Sequence, residues 1–295
     1  LESLSILGKG RGFRNANLLN LIYKNEKEFF INSEFIKEDK IIDIKINCKF
    51  VQDKLKKISS VNDDPSKESL EFLNSSLSFL YFLPEMERLF VTSPSYRRNF
   101  IDKLIFAGNS NYNKTINKYK KNILERSKLL QKYNYDQSWI EAIEKEISKI
   151  GLEIYKTRSN QVDIINDNLS LLNNKKQYPY DSKIIIKDSF YDSDLDNQKY
   201  LTKLKNSRDH DKQFGGAKIG PHKSDFLVLI NGKIEASQLS TGQQKTLVLM
   251  ILIAQCNYLI NIKNIKPILL FDEICSHLDS VNRQILLEMT DQFDI

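Results

Sequence analysis

The segment that most constrains this chain is Ile268-Leu-Leu-Phe-Asp-Glu273, an apolar run after Pro267 that ends in two adjacent carboxylates. Such a run is consistent with a parallel strand buried in an α/β sheet. Ligands of these sheets sit at the carboxyl ends of the strands. Asp272 is therefore placed to orient Mg²⁺ through its water shell, and Glu273 to polarise an attacking water. The plainer reading is that the two carboxylates only cap the next turn. Upstream lies Leu239-Ser-Thr-Gly-Gln-Gln-Lys-Thr246, with room for one long helix and a loop between the two segments. Ser240 is placed to cap a helix starting near Thr241, and Gly242 lets a ligand approach the backbone. A helix start offers unpaired N–H donors and a partial positive charge, so anions settle there. Taken alone, Ser-Thr-Gly is an ordinary cap. Followed by a strand that ends in carboxylates, it reads as part of a nucleotide-phosphate site.

A chain of 295 residues can form one large domain or two lobes with a real core. Its 41% hydrophobic and 28% charged residues fit a soluble globular protein and argue against a disordered one. The longest apolar run, Leu247–Ala254, is far too short to span a bilayer, so no membrane partner is expected. The opening Leu1-Glu-Ser-Leu-Ser-Ile-Leu7 has no basic leader, no cleavage pattern and no initiator methionine, so a trimmed cytoplasmic chain is expected. Cys48, Cys256 and Cys275 are odd in number, widely spaced and set among apolar residues, as reduced core thiols are. The net charge of +6 is modest but uneven, with ten Lys/Arg against two acidic residues between Arg97 and Lys132. Such an excess attracts phosphates, although a solvated helix face is the commoner explanation of a charge run.

Leu1–Leu7 reads as the end of an amphipathic helix, stopped by Gly8, Gly10 and Gly12 in a basic loop with Lys9, Arg11 and Arg14. Ile42, Ile44, Ile46, Cys48 and Phe50 alternate with Asp43, Lys45, Asn47 and Lys49, the clearest strand in the chain. A polar loop at Ser59–Lys67, a short helix near Glu68–Asn74 and an apolar strand near Phe79–Leu83 are expected next. Ser93 and Pro94 suit the cap and first turn of a further helix. The segment Lys114–Lys132 reads as a basic helix with Ile116, Tyr119, Ile123 and Leu130 on one side. The following helix carries Ile140, Ile143, Ile147, Ile150, Ile154, Thr157, Gln161 and Ile164 at alternating short spacings, a heptad seam suited to an antiparallel hairpin. Most such stripes are simply core, and Gly151, Thr157 and Gln161 weaken this one. Lys183–Lys187 is a short strand candidate. Asn231-Gly232, between Phe226–Ile230 and Lys233–Ala236, is the strongest hairpin signal. Just before it, Gly220-Pro-His-Lys-Ser-Asp225 makes a turn from which His222 and Lys223 are even candidates to meet phosphate.

Taken in order, Leu1–Arg14, Leu83-Pro-Glu-Met-Glu-Arg-Leu-Phe90, Pro94-Ser-Tyr-Arg-Arg-Asn-Phe-Ile-Asp102, Gly220–Asp225, Ser240–Thr246, Ile268–Glu273 and Leu278-Asp279 resemble the RecF family. These bacterial recombination mediators are related to SMC proteins and ABC-type ATPases, and the resemblance runs from end to end. It implies an α/β fold with an ABC-type P-loop ATPase head, a mixed sheet with flanking helices, plus a helical second lobe. On that pattern residues 1–84 form the N-terminal part of the head, 85–210 the helical lobe and 211–295 the C-terminal part of the head. The resemblance further implies an ATP-driven homodimer. In it the signature of one subunit (Ser240, Gly242 and Gln243) closes over the nucleotide held by the other. Asp272 would serve Mg²⁺, Glu273 would be the catalytic base, and Asp279 would belong to the D-loop at the subunit contact. Arg11, Arg14, Arg97, Arg98, Lys118, Lys120 and Lys121 become candidates for DNA phosphate contacts, salt-sensitive and sequence-independent. The implied partners are DNA at gaps and single-strand/double-strand junctions, and RecO- and RecR-type mediators that help load RecA.

Two features depart from the family pattern. The glycine-rich phosphate loop and its lysine are expected upstream of Leu1, and a His-containing switch is expected beyond Asp279. The chain alone is therefore expected to hold ATP weakly, and its own ATPase activity stays open. Leu83-Pro-Glu85 stands where a Q-loop glutamine belongs. Two other classes remain as alternatives. One is a transporter's nucleotide-binding subunit, against which stand the long middle section, its helical arm and its basic face. The other is a catalytically inert DNA-binding module.

Overall fold

From the N-terminus, helix α1 (Glu2–Leu7) precedes strands β1 (Glu28–Lys37), β2 (Lys40–Val51) and β3 (Lys54–Val61), then α2 (Lys67–Ser76) and β4 (Ser78–Phe82). A 3₁₀ segment, Pro84–Val91, leads into α3 (Pro94–Gly108), α4 (Tyr112–Leu130) and α5 (Gln137–Asn174). The next elements are β5 (Ser182–Lys187), α6 (Asn197–Asn206), α7 (Arg208–Phe214), β6 (Asp225–Ile230) and β7 (Ile234–Glu235). Helix α8 (Thr241–Asn261) and strand β8 (Pro267–Phe271) follow. The computed structural model describes residues 1–7, 12, 17–37, 40–52, 54–132, 134–174, 181–192, 194–274, 280, 283, 284 and 287. These fall into two units, one built on Leu1–Met86 and the stretch from Leu259, the other on Glu87–Tyr258.

In the first unit the alternation around Ile42 does what a period of two dictates. Ile42, Ile44, Ile46 and Cys48 turn to one face and are buried with Ile6 and Leu7 of α1, Val61 and Leu73. Strand β2 is the middle of an antiparallel sheet β1-β2-β3, in which Asn47 stands between Phe30 and Ile58. The polar loop expected from Ser59 starts later, because Ser59 and Ser60 still pair with Ile46 and Lys45. Lys57 donates to the Ile6 carbonyl at the end of α1, and burial there holds its ammonium below the usual lysine range. Helix α2 is capped by Ser66. Hydrogen bonds from Ser69 and Ser66 hold the Asp64 carboxyl below its ordinary range just before it. Strand β8 pairs with β4 in parallel, Phe79 opposite Ile268 and Phe82 opposite Phe271.

In the second unit α4 and α5 run antiparallel, with Thr115 meeting Glu153, Lys118 meeting Glu146 and Arg126 meeting Glu144. Ile140, Ile143, Ile147, Ile150 and Ile154 are all buried, as the seam requires. Beyond them Gln161 is still buried, but Thr157 and Ile164 are only half-buried, and the buried row moves to Arg158, Val162, Ile165, Leu169 and Leu172. A straight helix drifts out of a seven-residue repeat, so one seam lasts only a few turns. In that second half α5 packs on β5, where the Asn166 side chain bonds both the N–H and the C=O of Ile184. Gly151 lies at a close approach, since a Cβ there would stand 2.6 Å from the Tyr200 ring.

Arg126 is 1% exposed and bonds Glu144 at 3.0 Å, Asp211 at 2.7 Å and the Leu204 carbonyl at 2.8 Å. Arg208 adds a second cation to Glu144. Strands β5, β6 and β7 form an antiparallel sheet, and the expected turn falls on Asn231 (φ 50°) and Gly232 (φ 69°). Helix α8 is buried continuously from Gln244 to Cys256, as befits a helix that is apolar on every side. Its buried Gln255 is satisfied by Gln161 and the Leu104 carbonyl. Burial pushes the Cys256 thiol up to about 12 and raises that of Cys48 as well. Cys275 lies outside the described residues. Among the described residues no helix is long and apolar enough to cross a membrane.

Candidate functional site

The body of α8 is buried, whereas its first turn reaches the surface, with Ser240 and Thr241 exposed and Gly242 and Gln243 half-buried. Ser240 and Gln243 close a reciprocal cap. The Gln243 N–H donates to Ser240 Oγ at 3.4 Å, and the Ser240 N–H donates to Gln243 Oε1 at 3.0 Å. Between them lie the N–H groups of Thr241 and Gly242, which no helical carbonyl can reach. The helix dipole favours an anion at that place. The Ser240 hydroxyl accepts in the cap and keeps its own proton to donate. The motif thus has the donors that a phosphate requires, and the Gln243 side-chain oxygen seals the cap.

Lys245 was not singled out from sequence, yet it anchors this turn. It is fully buried, and its ammonium stands 2.6 Å from Glu87 Oε1 on the 3₁₀ segment. A buried charge is tolerated only when paired, so the contact ties the start of α8 to Glu87. The available signal was a lysine two residues before the apolar run that begins at Leu247, with no solvated helix face to occupy.

In the first unit Asp272 and Glu273 follow β8 directly. The Asp272 N–H continues the β4–β8 ladder by donating to the Phe82 carbonyl at 3.1 Å, which fixes where the carboxylates leave the sheet. Glu273 is exposed and adopts φ 52°, left-handed backbone that a glutamate rarely takes. Strain of this kind gathers at functional positions. Two carboxylates do not make a metal cage, but they fit Mg²⁺, which is held by one or two carboxylates together with phosphates and water. On the neighbouring strand β4, where Tyr81 stands opposite Leu270, burial and then the carboxylates of Glu2 and Glu85 push the Tyr81 phenol up to about 12.

The basic candidates divide. Arg97 is corrected from a DNA contact to an internal clamp. Its guanidinium bonds Asp225 twice at 2.8 Å, donates to the Phe90 and Thr92 carbonyls, and is 11% exposed. Arg98 is half-buried, and one N–H of its guanidinium donates to the Ser224 carbonyl at 2.7 Å, so its place as a DNA contact stays a proposal. Lys118, Lys120 and Lys121 do stand exposed on α4, the first of them meeting Glu146. Arg11, Arg14 and Asp279 lie outside the described residues.

The Gly220–Asp225 turn is also locked inward. The Tyr119 hydroxyl bonds His222 Nδ1 at 2.8 Å, and His222 Nε2 bonds the Ala217 carbonyl at 2.9 Å. Both ring nitrogens are therefore occupied, and burial lowers the imidazole pKa. The Pro221 carbonyl accepts from Arg158, and the Ser224 hydroxyl donates to Asp188 at 2.6 Å. Gly220 has φ 123°, and a Cβ there would lie 2.3 Å from the Tyr200 hydroxyl oxygen and 2.4 Å from that of Tyr119. His222 is thus no phosphate ligand, while Lys223 remains exposed.

No family model matches the chain. A DNA replication and repair protein RecF from Rickettsia massiliae (strain Mtu5) is 30% identical over 293 residues, which are 98% of this chain and 80% of that protein. The protein of the same description from Rickettsia conorii (strain ATCC VR-613 / Malish 7) is also 30% identical, over 98% of this chain and 80% of its own length. A solved structure of the recombination mediator protein RecF-ATPrS in the RecFOR pathway superposes with a TM-score of 0.83 at 25% identity. That match covers 98% of this chain and 79% of the other.

Proposed function

The chain belongs to the RecF family of DNA replication and repair proteins, with an ABC-type ATPase-head fold and a helical second lobe, and we propose that it is an ATP-dependent DNA-binding protein of recombinational repair. In this reading two copies associate on ATP at gaps and single-strand/double-strand junctions. They act in the cytoplasm with RecO- and RecR-type mediators to help load RecA. The observation that carries it is the first turn of α8, exposed and capped, with its Thr241 and Gly242 N–H groups turned to no helical carbonyl. The nucleotide-bound relative of the RecFOR pathway supports the choice of ATP as the anion.

The chain's own residues then divide the work. Ser240 donates its hydroxyl proton to a phosphate oxygen held by the partner copy, beside the Thr241 and Gly242 N–H groups. Gln243 keeps the cap closed, and the Lys245–Glu87 pair holds the turn in place. Asp272 would hold Mg²⁺ through its water shell, and Glu273 would take a proton from the attacking water at its carboxylate. The bound MgATP supplies the phosphate charge and the electrophilic γ-phosphorus. Lys118, Lys120 and Lys121 neutralise DNA phosphates, and Asp279 belongs to the contact between copies.

The catalytic assignment is tested by Glu273→Gln in the full-length protein. Without the base, ATP-dependent dimers should outlive those of the wild type, by tenfold or more on the scale of general-base catalysis, about 10² in rate. Dimers that dissociate as fast as the wild type would remove Glu273 from this role.

A further inference from the structure

The α4–α5 hairpin carries a feature that phosphate binding alone leaves unused. Its one side is a lysine row, Lys114, Lys118, Lys121, Lys128 and Lys132, interrupted by Glu125. These positions recur at helical spacing, on the side of α4 away from buried Ile116, Tyr119, Arg126 and Leu130. From Lys114 to Lys128 the row climbs about 21 Å, roughly six phosphate steps of one strand. Glu146 meets Lys118 from α5, an exposed pair that competes weakly with a polyanion. At the far end stands Trp139, 47% exposed, on the first turn of α5. The Lys132 ammonium sits 5.9 Å from the centre of its ring. The backbone beneath is fixed, because Asp136 Oδ1 accepts from the N–H groups of Ser138 and Trp139 and the next residue, Ile140, is fully buried. A half-exposed indole on a fixed backbone, at the end of a cationic track, has the parts that grip an unpaired base, namely an aromatic face for stacking and lysines for the backbone.

We propose that the hairpin tip is a base-stacking site for single-stranded DNA, with Trp139 as its platform and the α4 lysines as the track that leads phosphates to it. The inference rests on the DNA-binding reading above and adds where the unpaired strand goes. A blunt duplex keeps its bases stacked and can use only the track. A junction or a gap can use both.

Trp139 is the one tryptophan of the 295 residues, so its emission reports on the tip alone. A labelled blunt duplex and a labelled duplex with a single-stranded tail are titrated into the chain, following label anisotropy and indole emission together. The expected result is binding of both, with emission quenched by the tailed DNA and little changed by the blunt one. Trp139→Ala should weaken the tailed DNA about tenfold and the blunt duplex less than about twofold, the loss of one stacked base. Trp139→Phe keeps a stacking face and should recover most of the difference. Binding of tailed DNA with unchanged indole emission, or equal losses on both DNAs in Trp139→Ala, would overturn the tip site and leave DNA binding standing. Absence of anisotropy change with either DNA would overturn the broader reading, and the tip site with it.

Discussion

Two glycine-bearing turns of the second unit look alike in sequence and differ in what their polar atoms touch. Gly220–Asp225 and Ser240–Thr246 each combine a glycine, a serine and a lysine next to a regular element. In the first, the imidazole, the serine hydroxyl, the aspartate and even the proline carbonyl are engaged by Tyr119, Ala217, Asp188, Arg97 and Arg158. In the second, the cap is closed, but the Thr241 and Gly242 N–H groups stand at a helix start beyond the reach of any helical carbonyl, and the exposed Ser240 hydroxyl keeps a proton to donate. The lesson is one of accounting. A turn whose imidazole, hydroxyl, carboxylate and carbonyl groups are engaged internally holds the fold, and one with surplus backbone donors can hold an anion.

Substitutions should separate the two turns. The largest effect is expected from Gly220→Ala, which forces an L side chain into φ 123° and drives a Cβ against the hydroxyls of Tyr200 and Tyr119. A loss of about 3 kcal/mol or more in denaturant unfolding follows from overpacking together with backbone strain. A loss under about 1 kcal/mol would mean that the turn is looser than its contacts indicate.

A smaller effect concerns pH. Burial puts the folded pKa of His222 below its ordinary value of 6.5, so the unfolded chain takes up the proton first. This residue costs no stability above that value. As pH falls through it towards the lower folded value, stability declines by up to one proton's worth of slope. His222→Gln should flatten this part of the stability profile between about pH 8 and about pH 5. An unchanged profile would assign the decline to other groups.

Much of the architecture was legible because it follows from periodicity. Strand β2 alternates, Asn231-Gly232 supplies the positive φ angles of its turn, and the apolar run after Pro267 is a parallel strand as read. The seam of α5 was legible to Ile154, beyond which the partner surface changes from α4 to β5 and the repeat no longer applies. Strands β1 and β3 escaped notice because apolar residues occur on both of their faces, Phe29 inward and Phe30 outward, for example.

At the candidate site, residue types were readable and partners were not. Arg97 looked like a phosphate contact because Asp225 lies 128 residues further along the chain. Lys245 looked like part of a motif's tail because nothing local points to Glu87. The left-handed backbone of Glu273 has no sequence signal at all, since glutamate gives no warning of positive φ.

The central claim is that the first turn of α8 is an anion seat, and Gly242→Asp in the full-length protein tests it most directly. A carboxylate in the first turn suits the helix dipole, so thermal stability should stay within about 1 kcal/mol of wild type or rise slightly. The same carboxylate repels a phosphate. In sedimentation with MgATP the wild type should dimerise, whereas the variant, equally well folded, should remain monomeric. A Gly242→Asp protein that dimerises on MgATP as readily as wild type would contradict the account.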